Sequence, residues 1–307
     1  MRAVRFARHG GPEVLEMVEV PHPVAGPGEV VVAVRAVSAN PVDGKIRRGM
    51  LGANLAALPS GTGRDGAGVV VGTGEGVPAD LKGRRVCFLA PRGVGSWVEE
   101  ISLPAAIVAP IPDDLSFTDA ASLPLAGTSA WIGLIDTAGV KAGDRVLVHA
   151  AAGGVGGMAV QIARAAGAQV FATCSARNAA YVRGLGADEV AAYDEVAFET
   201  VFRDMDVVFD LMGGEVHQRS YPVLKRGGTM AYLNAAPFED RHEAFGVTVK
   251  VAQVFPDRAV LDALLDRVRS GVIRPTVEKV LRFEDYAEAQ RLSDTGHVRG
   301  KIVLTLL

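Results

Sequence analysis

Residues 146–178, VLVHAAAGGVGGMAVQIARAAGAQVFATCSARN, carry the densest chemical signal in the 307-residue chain. An apolar run leads into Ala151-Ala152-Gly153-Gly154-Val155-Gly156 and then into an alanine-rich stretch. Glycines at such a turn let backbone approach a pyrophosphate closely. The helix that follows offers free N–H groups and a partial positive charge to the phosphates. Alanine stands at the first glycine position of G-x-G-x-x-G, and a glycine turn can serve plain packing. The flanking order of strand, helix and a second strand about 20 residues on reads as a dinucleotide site.

The end of that second strand tells one dinucleotide from another. A strand that binds NAD usually ends in Asp or Glu, which accepts hydrogen bonds from the adenosine ribose. This chain offers Ser175 and then Arg177. A hydroxyl and a guanidinium suit a 2′-phosphate, which a carboxylate repels. Tyr193, at the end of the next strand, adds a phenolic hydroxyl. The competing reading of Arg177 is the start of a solvated helix. The expected cofactor is NADPH.

The elements that hold these residues fall into two grammars. Residues 1 to 112 read as short strands between Gly and Pro, with EVVVAVRAVSAN alternating its side chains, so a β-rich barrel or sandwich is expected. APIPDDLSFTDAASLP reads as a crossing between domains, and Asp119 to Gly133 as an alanine-rich helix. From about residue 143 strands and helices alternate, as in a parallel sheet covered on both faces. PDRAVLDALLDRVRSG is a helix with a glycine stop, and GKIVLTLL a last strand returning to the first domain.

Bulk properties narrow the classes. Hydrophobic residues make up 49% and charged residues 22%, a globular mixture. The net charge of −3 opposes binding by phosphate neutralisation, so no nucleic-acid partner is expected. Two cysteines, Cys87 and Cys174, give neither a disulfide framework nor metal spacing. The N-terminal stretch lacks a signal-peptide pattern and no apolar run is long enough to span a membrane. A soluble cytoplasmic protein is expected.

Taken together, VLVHAAAGGVGGMAVQIARAAGAQV, PLAGTSAW, SANPVDGKIRRG and GHVRGKIVL resemble the zinc-independent branch of the medium-chain dehydrogenases/reductases, within it the quinone oxidoreductases or zeta-crystallin-like proteins. The resemblance runs nearly end to end. It implies an α/β protein: a doubly wound Rossmann sheet, residues 113–267, inserted into a β-rich distorted-barrel catalytic domain of residues 1–112 plus 268–307. It also implies NADPH in the cleft and a homodimer or homotetramer.

The resemblance carries residue roles as well. The pyrophosphate is expected against Gly153, Gly154, Val155 and Gly156, and the 2′-phosphate against Ser175, Arg177 and Tyr193. Ser129 falls where relatives often have a threonine near the nicotinamide, and Leu233 and Asn234 where backbone meets its carboxamide. Lys301 is either a cofactor contact or a surface charge. Zinc-dependent cousins place a cysteine ligand at Asn40 and a Gly-His-Glu stretch at Gly63-Arg64-Asp65. A catalytic zinc needs about three Cys, His or carboxylate ligands, and of these positions only Asp65 is one, so no metal is expected. Some quinone reductases have a tyrosine at Lys45, which leans this chain towards enone-reducing relatives.

Without a metal, an enolate formed by hydride attack needs a preorganised donor. The candidates are Asn40, through its amide, and Lys45, through its ammonium; Lys45 alternatively binds the nicotinamide ribose. Asn40 ahead of proline is equally a turn residue. Asp43 is expected to brace that loop, and His149 to satisfy backbone or line the cofactor floor. The expected function is NADPH-dependent reduction of quinones or α,β-unsaturated carbonyls. Two other readings are an NADPH-binding redox sensor with little catalysis and an enoyl reductase acting on a carrier-bound chain.

Overall fold

A computed structural model describes residues 1–51, 57–233 and 238–306. The chain opens with strands β1 (Arg2–Phe6), β2 (Glu16–Glu19) and β3 (Glu29–Ala39), then the short helix α1 (Pro41–Arg47). Strands β4 (Ser60–Gly61), β5 (Asp65–Thr73), β6 (Arg85–Leu89), β7 (Glu100–Pro104) and β8 (Val108–Pro110) follow, and then helix α2 (Phe117–Ser122). Ser116 caps α2 by accepting the Asp119 N–H at 3.0 Å, which satisfies one of the helix's orphan donors.

Helix α3 (Pro124–Trp131) continues into a π-helical segment, Ile132–Thr137. Alternation then sets in: β9 (Arg145–Val148), α4 (Gly154–Ala165), β10 (Gln169–Cys174), α5 (Ala179–Gly184), β11 (Glu189–Ala192), α6 (Phe198–Val201), β12 (Met205–Asp210), α7 (Gly214–Ser220), β13 (Leu224–Tyr232), α8 (His242–Phe245) and β14 (Thr248–Val251). The chain ends through α9 (Arg258–Arg269), β15 (Val277–Arg282), α10 (Tyr286–Asp294) and β16 (Lys301–Thr305).

Two compact units result. The first joins Met1–Leu125, Phe255–Arg269 and Pro275–Leu307; the second joins Ala126–Val254 and Ser270–Arg274. The division corrects the expected boundaries. Residues 113–125 belong to the first unit because α2 packs on β3, β5 and β16. Residues 255–267 do so because α9 packs on β8, with Arg258 Nη1 donating to the Val108 carbonyl at 2.5 Å. Residues 270–274 go the other way, since Gln161 of α4 accepts the Arg274 N–H at 2.8 Å.

The first unit holds a three-stranded sheet, β2-β1-β4, and a seven-stranded sheet in the order β15-β16-β3-β5-β6-β8 with β7 also on β3. The alternation expected of β3 gives way to burial on both faces: Val30, Val31 and Val32 are all buried, and the strand pairs with both β5 and β7. The second unit holds one six-stranded sheet, order β11-β10-β9-β12-β13-β14, with every pairing parallel. This is the doubly wound Rossmann arrangement, interrupting the first unit in sequence. Val146, Leu147 and Val148 of the central β9 are wholly buried, as a parallel strand covered on both faces requires. Strand order reverses between β9 and β12, so their C-terminal ends mark the switch point where such sheets bind ligands.

Candidate functional site

The second unit builds the glycine turn as expected. Gly153 stands at the N-terminus of α4, and Gly153, Gly154 and Val155 are half-exposed, so the first N–H groups of the helix face outward. Gly156 is buried, and a Cβ there would lie 2.2 Å from the Ala150 carbonyl oxygen. Its glycine is therefore demanded by close packing of the helix on the turn. Ala150 itself has φ of 50°, a left-handed conformation costing about 1–2 kcal/mol for a residue with a Cβ. Local strain of this kind concentrates at functional turns.

The ends of β10 and β11 bring Ser175, Arg177 and Tyr193 to one edge. The Tyr193 N–H donates to the Cys174 carbonyl at 3.0 Å, which sets Tyr193 beside the start of SARN. Tyr193 is 60% exposed, Arg177 is exposed and Ser175 is half-buried with its hydroxyl accepting from Asn178 Nδ2 at 3.1 Å. A residue the sequence reading missed joins them: Asp194 Oδ1 accepts the Ala176 N–H at 2.8 Å. Its position directly after Tyr193 was the available signal.

At the switch point His149 is buried, with Nδ1 against the Thr173 hydroxyl and Nε2 against the Ser220 hydroxyl, both at 2.9 Å. Burial pushes its pKa down to about 4, so it is a neutral, fully partnered ring. Beside it lies a pair that sequence reasoning missed. His217 Nδ1 and Asp210 Oδ2 stand 2.8 Å apart, both wholly buried. Burial raises the Asp210 pKa, but hydrogen bonds from His217 and the Gly213 and Met212 N–H groups outweigh it and hold the carboxyl low. The spacing D-x6-H, from a strand end into a helix, carries no motif.

Ser129 is buried in α3, and the neighbouring Thr128 hydroxyl is buried without a hydrogen-bond partner. Leu233 is half-buried, its N–H 3.4 Å from the Asp210 carbonyl. Asn234 lies outside the described residues.

In the first unit, β3, β5 and β16 converge on a buried polar cluster. Asn40 Nδ2 donates to Asp65 Oδ1 at 3.0 Å and lies 3.3 Å from the Ser38 carbonyl and hydroxyl oxygens. Lys301 Nζ donates to Asn40 Oδ1 and to the Ala39 carbonyl. The amide of Asn40 is thus engaged at both ends and braces three strands. Lys301 is 5% exposed, which removes the surface-charge reading. Burial lowers its pKa while Asp65 and Asp43 oppose that shift. Asp65 Oδ1 also accepts from the Ser38 hydroxyl at 2.7 Å, and Oδ2 from the Leu125 N–H at 3.1 Å.

Helix α1 presents Lys45 half-buried, its pKa lowered first by burial and then by Arg48. Asp43, two residues earlier, accepts the Asn40 N–H through Oδ2 at 2.9 Å, the bracing role expected of it. Burial, reinforced by Asp65, pushes its pKa up to about 7. A small recess, open to solvent, is lined by Asp43, Ser60, Thr62 and Arg64 among others. Nothing in SANPVDGK or GRDG signals that Asp43 and Arg64 line one recess.

No helix among the described residues is long and apolar enough to cross a membrane. The chain matches two family models, the alcohol dehydrogenase GroES-like domain over residues 26–113 and the zinc-binding dehydrogenase over residues 185–304. It is 32% identical to the chloroplastic NADPH-dependent alkenal/one oxidoreductase of Arabidopsis thaliana, over 99% of this chain and 79% of that one. The quinone oxidoreductase of Coxiella burnetii superposes with a TM-score of 0.92 at 32% identity, covering 100% of this chain and 99% of that one. The spectinabilin polyketide synthase system protein NorB of Streptomyces orinoci is 36% identical over 98% of this chain, which spans only 14% of NorB's length.

Proposed function

The chain belongs to the quinone oxidoreductase branch of the medium-chain dehydrogenases/reductases, and from that premise we propose that it reduces quinones or α,β-unsaturated carbonyls with NADPH and without a metal. The observation that carries the cofactor half is the edge formed by Ser175, Arg177 and Tyr193, a hydroxyl, a guanidinium and a phenol at the ends of adjacent parallel strands. That donor set fits a 2′-phosphate. The outward N–H groups at Gly154 and Val155 fit the pyrophosphate. When bound, the reduced nicotinamide supplies a hydride. The protein orients it, and Ser129 and Leu233 are the residues we assign to that end.

The donor set does not fit zinc. Both oxygens of Asp65 are already engaged, the Asn40 amide is spent, and Lys301 and Arg64 bring two cations to the same cluster. Among the described residues no three His, Cys, Asp or Glu side chains converge to hold a metal ion. Lys45, half-buried on α1, is the cation we place towards the acceptor.

A second reading, enoyl reduction on a carrier-bound chain, is favoured by the similarity to a segment of NorB. We also propose a homodimer or homotetramer: β14 is the outer strand of its sheet, with Lys250 and Val251 exposed, and unpaired strand edges invite a second copy. The deciding assay follows NADPH oxidation with a quinone, a small enone and an enoyl thioester. Turnover of the first two supports the reading. Turnover of the thioester alone shifts it to the second, and tight NADPH binding with no turnover points to a sensor.

A further inference from the structure

The polar cluster of the first unit leaves two atoms over. Asp65, Asn40, Ser38 and Lys301 satisfy one another, and Asp43 Oδ2 is held by the Asn40 N–H. Asp43 Oδ1 and Arg64 Nη2 have no hydrogen-bond partner, although Asp43 is 2% and Arg64 3% exposed. A buried polar atom left unpaired is destabilising, more so when it belongs to a charged group. Both residues line the same recess. Arg64 is fixed for this geometry, because its Nε donates to the Ala90 carbonyl at 3.0 Å.

We propose that the recess between Asp43 and Arg64 seats the acceptor's oxygen, with Arg64 Nη2 donating to that oxygen as it becomes negative and the Asp43 carboxyl supplying its proton. The proposal rests on the reductase reading above. When the acceptor gains a hydride at carbon, its π-electron pair moves onto oxygen. The Asp43 O–H bond breaks, the proton joins that oxygen to give an enol or a hydroquinone, and Asp43 regains a proton from water. One hydride and one proton enter, so electrons and atoms balance. A donor poised near neutrality suits this role, and the raised pKa of Asp43 agrees with it. The charged groups bearing on Asp43 are Asp65 from β5, Lys301 from β16 and Arg64; Arg92 bears on Arg64. Lys45 shares α1 with it, and Arg48 caps that helix.

Acetate is the probe, since it is an oxyanion that needs no redox chemistry. Calorimetry on the full chain, in two buffers of different ionisation enthalpy, counts the protons taken up on binding. Uptake should approach one at pH 8, where Asp43 must gain its proton, and fall towards zero at pH 6. Asp43→Asn keeps an acceptor for the Asn40 N–H and should abolish the uptake. Arg64→Gln should weaken acetate by at least roughly tenfold. If Arg64→Gln fails to fold by circular dichroism, Arg64→Lys replaces it and should weaken binding with the proton count unchanged. Absence of saturable acetate binding to the wild-type chain, or uptake that survives in Asp43→Asn, overturns the proposal. In turnover, Asp43→Asn should slow enone reduction at least roughly tenfold near neutral pH. A wild-type chain that reduces nothing defeats the reductase reading and leaves the acetate result standing. Turnover unchanged in Asp43→Asn defeats this assignment alone.

Discussion

Asp194 Oδ1 accepts the backbone N–H of Ala176 at 2.8 Å, so a carboxylate occupies the edge where Ser175 and Arg177 stand. A phosphate brought to that edge meets a like charge, and the carboxylate already holds an N–H that a phosphate oxygen would otherwise take. Asp194→Asn keeps a side-chain acceptor for Ala176 and removes the charge. NADPH affinity should rise about three- to tenfold while NADH affinity changes little, because exposed like-charge interactions are worth on the order of 1 kcal/mol. Fluorescence titration of both coenzymes reads the difference. A parallel gain for NADH would mean that Asp194 acts on something other than the 2′-phosphate.

Arg177→Ala tests the opposite sign at the same edge. Loss of a hydrogen bond to a charged group costs about 1.5–3 kcal/mol. NADPH binding should weaken accordingly and NADH binding should hold. Equal loss for the two coenzymes would remove the 2′-phosphate from this edge.

These two residues also show where the sequence was legible. The glycine turn, the second strand and the SARN segment declare themselves because they are contiguous and each follows from local backbone needs. Asp194 did not, because its role depends on the parallel pairing of β10 with β11. Asn40 and Lys301 lie 261 residues apart, and only the antiparallel pairing of β16 with β3 brings them together. Strand β14, with a single half-buried residue in TVKV, has neither alternation nor an apolar run to mark it. The domain boundary was misplaced for a related reason: α2 and α9 read as helices of the alternating region, while their apolar faces belong to the other sheet.

Lys301→Met separates an internal role from a cofactor contact. The substitution keeps most of the aliphatic stem and leaves Asn40 Oδ1 and the Ala39 carbonyl without their shared donor. It also leaves Asp43 and Asp65 facing one cation fewer. The first unit should lose about 2–4 kcal/mol of stability, within the range for breaking a buried charged hydrogen-bond network. NADPH affinity of the folded fraction should stay within about twofold of wild type, less than one hydrogen bond is worth. Denaturant unfolding and coenzyme titration on the same preparation decide it; unchanged stability with much weaker NADPH would return Lys301 to the cofactor.

His149 makes stability depend on pH. Its folded-state pKa of about 4 lies below the ordinary 6.5, so between those values the unfolded chain binds more protons than the folded one. Stability from this group is fully present above about pH 6.5 and is lost as pH falls towards 4. At 1.36 kcal/mol per unit the loss is about 3 kcal/mol at most. His149→Gln cannot titrate, yet its amide retains a donor and an acceptor for Thr173 and Ser220. The variant should be less stable than wild type at pH 8, and the gap should narrow or reverse by pH 4.5. Urea unfolding at a series of pH values measures the gap; a gap independent of pH would show that His149 is protonated alike in the folded and unfolded chains.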